Sequence, residues 1–466
     1  VSSESSKTTT RRQFLGQTAG TVAGASLAGA ATRVEATQPM SRSASRVLGA
    51  NDRIRLGFIG CGMQFQDLLR RGFLPRRERQ GDVEFVEVCD VWQPRVDNAK
   101  VKTGAERGGR DYRTVLDRPD IDGVVVVVPD HLHYPIARAA LLTGKDVYLE
   151  KPMTYSIDEA AKLHDVVQQT GRMLQVGGSG LNSPLDQKLH EYVQAGRMGK
   201  VVWGFISYNR NTTEGMWDYP IPGIGSESWP DAPVTPENLD WQAWLGGARK
   251  RPFSKERYFR WRKFWDYSGG NATDLLFHRL GALSAIVGFD FPTRVVSGGG
   301  IYVQKDRQVP DTYMTTVEYP KEYCFNMVSC MANESSAPIT VYGNWGTLQV
   351  LPAARQPGPP AVRGSGRGVI TAERTFEKQF KEANDGLTEV EITTDQPMED
   401  LADNWLNSMR SRQAPIYDVL KGYQVTVAIQ LGVQSYKEGR AMGFDPVARR
   451  VLARPADRAE YEPKES

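Results

Sequence analysis

The stretch from Val124 to Pro152 constrains the fold more than any other. Val124 to Val128 is an unbroken β-branched run, which reads as a strand buried on both faces. Pro129 ends it, Pro135 stands where a first helical turn tolerates proline, and Gly144 stands where a helix stops. Ile136, Ala139, Ala140 and Thr143 give the helix between them one packing face, and Asp146 to Leu149 is a second short strand. Strand, helix and strand in so few residues form a crossover unit, so the two strands are parallel. Open sheets of this kind bind ligands at the carboxyl ends of their strands. Those ends carry His131 and His133 after the first strand and Glu150-Lys151-Pro152 after the second.

Upstream, Ile54 to Ile59 reads as the first strand, Gly60-Cys61-Gly62 as a tight turn, and Met63 as the start of a helix. Two glycines here let the backbone approach a pyrophosphate, which then sits on the helix N-terminus. Phe65 occupies the place of the usual third glycine, which leaves the helix–strand angle open. Val83 to Cys89 is the next strand and Asp90 ends it. An acid at that point accepts from adenosine ribose hydroxyls and repels a 2′-phosphate, which favours NAD; Arg95 nearby keeps NADP open. Arg70 to Asp82 reads as a basic insertion containing Pro and Gly.

A Glu-Lys-Pro at a strand end, about 90 residues beyond a glycine turn, resembles the Gfo/Idh/MocA sugar dehydrogenases. The resemblance covers about residues 53–450 and implies that Lys151 takes part in catalysis and that His133 lies near the nicotinamide ribose. It gives a cofactor set of Gly60, Gly62, Met63, Gln64, Asp90, Pro129, His133, Glu150 and Lys151. A second family motif, Asp-x-x-x-His after glycines, matches Gly269-Gly270 followed by Asp274 and His278. On a helix that pair is i and i+4, so both side chains reach one site. The arginine usual in the family after the next glycine turn is missing from Gly178-Ser179-Gly180-Leu181-Asn182.

The second half carries alternating strands near residues 201–209, 293–298, 314–319, 325–330, 339–342 and 347–350. They predict one open, mostly antiparallel sheet with helices on one face, and a free face suited to a second copy of the chain. Between the first two strands, residues 210–267 hold Trp217, Tyr219, Trp229, Trp241, Trp244, Tyr258, Trp261, Trp265 and Tyr267. Rings at this density either stack on sugars or anchor an irregular loop. Arg260, Trp261 and Tyr267 are the substrate contacts we expect, with Arg262 a further hydrogen-bond donor or a solvated cation. Residues 357–367 read as a Pro/Gly-rich excursion, and Leu401 to Arg412 and Lys421 to Glu438 as helices.

At 466 residues the chain is long enough for two cores. A net charge of +3 is too small and dispersed to indicate a nucleic-acid partner. The four cysteines show no metal spacing, and no metal is expected. Thr10-Arg11-Arg12-Gln13-Phe14-Leu15-Gly16 with the mild apolar stretch behind it matches a twin-arginine export signal, not a lasting membrane span. The expected organisation is signal and linker over 1–45, a dinucleotide-binding Rossmann domain over 46–174, an α+β substrate domain over 175–453, and a tail over 454–466. The expected fold class is α/β: a doubly wound parallel sheet followed by the large open sheet.

Three functions compete on the sequence. The first is an exported NAD(P)-dependent sugar oxidoreductase with retained cofactor and a carbohydrate substrate, assembled as a dimer or tetramer. Lys151 and His278 are then the proton-transfer candidates, with Asp274 orienting the histidine or binding substrate hydroxyls. The second is a redox-neutral NAD-dependent glycosidase acting through a 3-keto sugar. The third, a non-catalytic sugar binder, is disfavoured by the joint presence of Lys151, Asp274 and His278.

Overall fold

The computed structural model describes residues 52–178, 183–221, 232–352 and 366–455. The twin-arginine stretch, the Ser179–Asn182 turn, Trp229, residues 357–365 of the Pro/Gly-rich excursion and most of the tail lie outside these residues.

The first sheet is the expected parallel one. Its six strands are β1 (Ile54–Ile59), β2 (Val83–Cys89), β3 (Arg107–Gly109), β4 (Gly123–Val126), β5 (Asp146–Leu149) and β6 (Leu174–Val176). They lie in the order β3-β2-β1-β4-β5-β6. Every residue of β4 and β5 is buried, including Asp146 at the start of β5, which pairs with Arg412 at 2.6 Å.

One local expectation is corrected. The helix after β4 begins at Asp130, so Pro135 stands inside Asp130–Leu142 and both His131 and His133 are helical. Pro135 is past the first turn, so the helix forgoes the i→i−4 hydrogen bond it would otherwise donate to the His131 carbonyl. The basic insertion at residues 70–82 is largely helical: helix Met63–Leu68 runs through a π-helical turn, Leu69–Phe73, into Leu74–Gln80. Gly81, at φ 65°, closes that helix. Phe65, in place of the third glycine, packs edge-on against Phe58 with ring centroids 5.3 Å apart.

The second sheet has ten strands: β7 (Val201–Ser207), β8 (Arg294–Gly300), β9 (Thr312–Tyr319), β10 (Tyr323–Cys330), β11 (Ile339–Gly343), β12 (Gly346–Pro352), β13 (Gly366–Ala372), β14 (Glu389–Thr393), β15 (Met442–Asp445) and β16 (Arg450–Leu452). Their order is β14-β13-β12-β11-β7-β10-β9-β8-β15-β16, and only β7 and β10 pair in parallel. The last four strands escaped the sequence reading. They are short or polar, and β14 alternates only exposed and half-buried residues.

Helix Leu401–Ser411 returns from the substrate half to the cofactor half. Its Trp405 is fully buried against Phe73 and Tyr148 and sits over Gly123, where a Cβ would lie 3.0 Å from the indole. Helix Val419–Glu438 is buried along most of its length, which is why its apolar residues show no single face.

Trp405→Ala is expected to cost about 3–5 kcal/mol of stability, the range for emptying a buried aromatic site. Urea denaturation followed by circular dichroism reads it directly. Phe376→Ala, at a 37% exposed position, should cost far less.

Candidate active site

One cavity of about 410 Å³ lies at the carboxyl ends of β1, β2, β4 and β5. Gly60, Gly62, Met63, Gln64, Asp90, Pro129, Glu150 and Lys151 all line it. His133 does not. Its ring is 1% exposed behind the cavity, with Nδ1 2.5 Å from the Pro152 carbonyl and Nε2 2.8 Å from that of Val128. It ties the loop after β4 to the loop after β5, and burial lowers its pKa to about 4. His131 packs against Trp244 and Tyr267 and bonds through Nε2 to the Trp244 carbonyl at 2.9 Å.

The lining fits a dinucleotide. Gly60 takes φ 91°, and a Cβ there would fall 2.1 Å from the Val127 carbonyl oxygen. The helix opening at Met63 has no side-chain cap, so its first N–H groups face the cavity end where a diphosphate would rest. Asp90 is buried at the end of β2 and accepts from the Cys61 and Trp92 backbone N–H groups at 2.8 and 3.0 Å. Those bonds orient an acid that still has lone pairs for ribose hydroxyls. Arg95 is 3.9 Å from Asp90 and bonds the Tyr258 hydroxyl at 3.0 Å.

At the other end of the cavity Lys151 meets the second domain. Its Nζ donates to Asp274 Oδ1 at 2.9 Å and to the Asp274 carbonyl at 2.7 Å. Arg262 Nε reaches the same Oδ1 at 3.0 Å, and the Trp217 indole N–H bonds Oδ2 at 3.0 Å. Burial alone would raise the Asp274 carboxyl, but Arg262 and then Lys151 overcome it and hold the group well below the carboxylate range. Asp274 belongs to a π-helical turn, Ala272–Leu276, and His278 to the helix Phe277–Val287 that follows. Both still line the cavity. Burial, reinforced by Lys151, pushes the His278 imidazole well below its usual range and keeps it neutral.

Of the expected substrate contacts, only Trp261 lines the cavity. Arg260 turns away to Glu256, Asp218 and the Tyr219 carbonyl. Tyr267 is fully buried in a cluster with Trp244 and Phe264. Arg262 takes the place expected for Arg260, with its guanidinium 4.2 Å from the Trp261 ring centroid. Arg210, Tyr219 and Asp130 also face the cavity. Asp130 and Arg210 carried no motif that sequence alone could single out. Trp217 stands at φ 67°, strained for a bulky residue, and that conformation aims its indole at Asp274.

Residues 54–178 match the NAD-binding Rossmann domain of the Gfo/Idh/MocA oxidoreductase family, and residues 247–444 match that family's C-terminal α/β domain. Together these matches span well over half the chain, and the chain belongs to this family. Its first domain is accordingly an NAD-binding Rossmann domain. Among curated relatives, a glycosyl hydrolase family 109 protein 2 of Shewanella sp. (strain ANA-3) is 27% identical over 212 residues, 42% of this chain and 45% of the relative. A scyllo-inositol 2-dehydrogenase (NAD(+)) of Bacillus subtilis (strain 168) is 30% identical over 120 residues, 26% of this chain and 35% of the relative. The chain thus spans about half or less of the length of these relatives. Levoglucosan dehydrogenase, solved with NADH and levoglucosan, superposes with a TM-score of 0.60 at 16% identity, covering 84% of this chain and 99% of that one. That likeness shows the shared fold. Residues 179–246, which carry Arg210, Trp217, Tyr219 and Trp244, fall outside both family matches.

Gly60→Ala should abolish NADH binding while the protein stays folded, because the added methyl meets a backbone carbonyl at the turn itself. Fluorescence titration with NADH, alongside a circular dichroism spectrum, checks both halves of this expectation.

Proposed function

We propose that the protein oxidises a sugar or sugar derivative by hydride transfer to NAD, with the cofactor retained between turnovers. The observation that carries this reading is the meeting of Lys151, at the end of the cofactor sheet, with Asp274 and His278 of the second domain in one cavity with the dinucleotide lining. NAD, when bound, supplies the hydride acceptor. The chain's own task is to position a hydroxyl and take its proton. Lys151 and the neutral His278 offer nitrogen bases there. Arg262, Arg210 and Tyr219 offer hydrogen bonds, and Trp261 offers a ring face for a sugar.

Enclosure supports cofactor retention. The segment 232–267 folds over the end of β2, where Trp92 forms an isolated bridge with Leu239 and Asp240 donates its N–H to the Val91 carbonyl at 2.8 Å. Trp92, Leu239, Trp241, Trp244, Tyr258 and Phe259 then seal one apolar cluster beside the cavity.

A second reading, redox-neutral glycoside cleavage, gains from the relatives named glycosyl hydrolase family 109. It needs the same lysine and a cofactor that never leaves. Export by the twin-arginine route fits both readings, since a retained cofactor needs no external pool; the support is the motif Thr10–Gly16 alone. Among the described residues no helix is long and apolar enough to cross a membrane. We also infer that a second copy covers the outer face of the ten-stranded sheet, where Val296 and Met314 are exposed. Light scattering of the purified protein, giving a dimer or tetramer mass, tests that.

Denaturing the purified protein should release about one nicotinamide dinucleotide per chain, read by absorbance and mass. Lys151→Ala should keep the bound cofactor and lose hydride transfer from sugar by a factor on the order of 10²–10⁴. An empty protein that reduces added NAD with a free sugar would remove the retention and the redox-neutral reading together. It would leave an ordinary dehydrogenase.

A further inference from the structure

We propose that Asp130 is the proton-holding residue of the site: it takes the proton that Lys151 must shed before Lys151 can accept one from a substrate hydroxyl. This rests on the oxidoreductase reading above and deepens it. The family resemblance and the motifs assign Asp130 nothing.

Lys151 is ion-paired to Asp274 at 2.9 Å, and a lysine held there as an ammonium is no base. A group lining the same cavity can relieve it of that proton. Asp274 cannot keep one. Lys151 and Arg262 donate to one of its oxygens and Trp217 to the other, and all three bonds favour the anion. Burial raises the Glu150 carboxyl too, but both of its oxygens are already engaged, one accepting from the Lys151 backbone N–H at 3.1 Å and the other from Gln64 Nε2 at 3.2 Å. His278 is held neutral by burial and by the Lys151 charge itself.

Asp130 differs from each of these. It opens the helix after β4, lines the cavity and is 3% exposed. It has no ion-pair partner within contact distance among the described residues, and its Oδ2 is buried with no hydrogen-bond partner at all. A buried carboxyl with an unmatched oxygen is costly as an anion and comfortable as an acid. The groups that face it are Lys151 after β5, Arg262 in the short turn Trp261–Lys263, and Thr273 and Asp274 in the π-helical turn. Tyr155 is the remaining titratable group coupled to it. Burial raises the carboxyl to about 6 against the pull of Lys151 and Arg262, so it gains and loses a proton near neutrality. Asp130 therefore combines access to the cavity, an unused oxygen and a poised affinity.

The proton balance is simple. An N–H bond of the Lys151 ammonium breaks and an O–H bond forms on the Asp130 carboxylate by way of a water in the cavity, which gives up one proton as it takes another, leaving a neutral amine and a neutral acid. The substrate O–H then breaks as a new N–H forms on Lys151. In the reverse direction Asp130 returns its proton, which a redox-neutral cycle requires once per turnover.

Infrared titration of the full chain with NADH bound, and no sugar present, tests the assignment. The wild type should show a protonated-carboxyl C=O band with a midpoint of about 6 that is absent from Asp130→Asn. Asp186, raised to about 7 by burial alone, should titrate unchanged in both proteins as an internal reference. If Asp130→Asn fails to fold, Thr273→Val replaces it; losing that hydroxyl should move the midpoint upward. With a reacting sugar, Asp130→Asn should lose the inflection near 6 from the pH profile of kcat. The rate should fall on the order of 10²-fold with KM little changed. A C=O band identical in wild type and variant overturns the proposal, even if sugar oxidation proceeds, and leaves the oxidoreductase reading standing. A titrating Asp130 in a protein that takes hydride from no sugar overturns that reading and, with it, the relay.

Discussion

The ion pair between Lys151 and Asp274 is the point on which the two halves of the molecule agree. Lys151 stands at the end of a central strand of the cofactor sheet and Asp274 at the start of a buried helix under the second sheet. Their side chains are 11% and 12% exposed. A buried pair of this kind returns little net stability, because desolvation of both charges offsets their attraction. Its value is geometric. It holds one lysine nitrogen at a fixed place in a cavity shared by both domains, and removing either partner strands a charge.

Much of the surrounding structure works to keep that pair in place. Arg262 shares the Asp274 oxygen with Lys151, and Trp217 reaches the other oxygen from a left-handed backbone conformation. The loop that carries Trp217 is anchored in turn by Lys263, which is buried between Asp218 and Asp306. His133 fastens the Pro152 carbonyl, one residue beyond Lys151, to the end of the neighbouring strand. Guanidinium and indole come from separate stretches of chain and converge on one carboxylate, while the imidazole steadies the strand end that carries the amine.

The rings between Tyr219 and Tyr267 divide along a similar line. Tyr219 and Trp261 line the cavity, Trp241 packs only in the cluster at the end of β2, and Trp244, Tyr258 and Phe259 do both. The aromatic density that suggested a sugar pocket is therefore mostly a clasp over the cofactor end. Composition could not separate these roles, because a ring that stacks on a ligand and a ring that stacks on another ring carry the same sequence signal.

Sequence alone determined the parallel sheet, its glycine turn, Asp90 and the placing of Lys151, since each depends on residues adjacent in the chain. A β-branched run, a glycine at positive φ and a strand-end acid are local commitments of the backbone. It also determined that Asp274 and His278 lie close together, because one helical turn spans them. Only the tertiary structure decided that Arg262 faces the cavity and Arg260 does not, and that Tyr267 is buried. It likewise put His133 behind the cavity and gave Asp130, on the same cavity as Lys151, one buried oxygen without a hydrogen bond. Those outcomes depend on which side chains from other elements fill the remaining space and satisfy the remaining hydrogen bonds, about which adjacent residues carry no information.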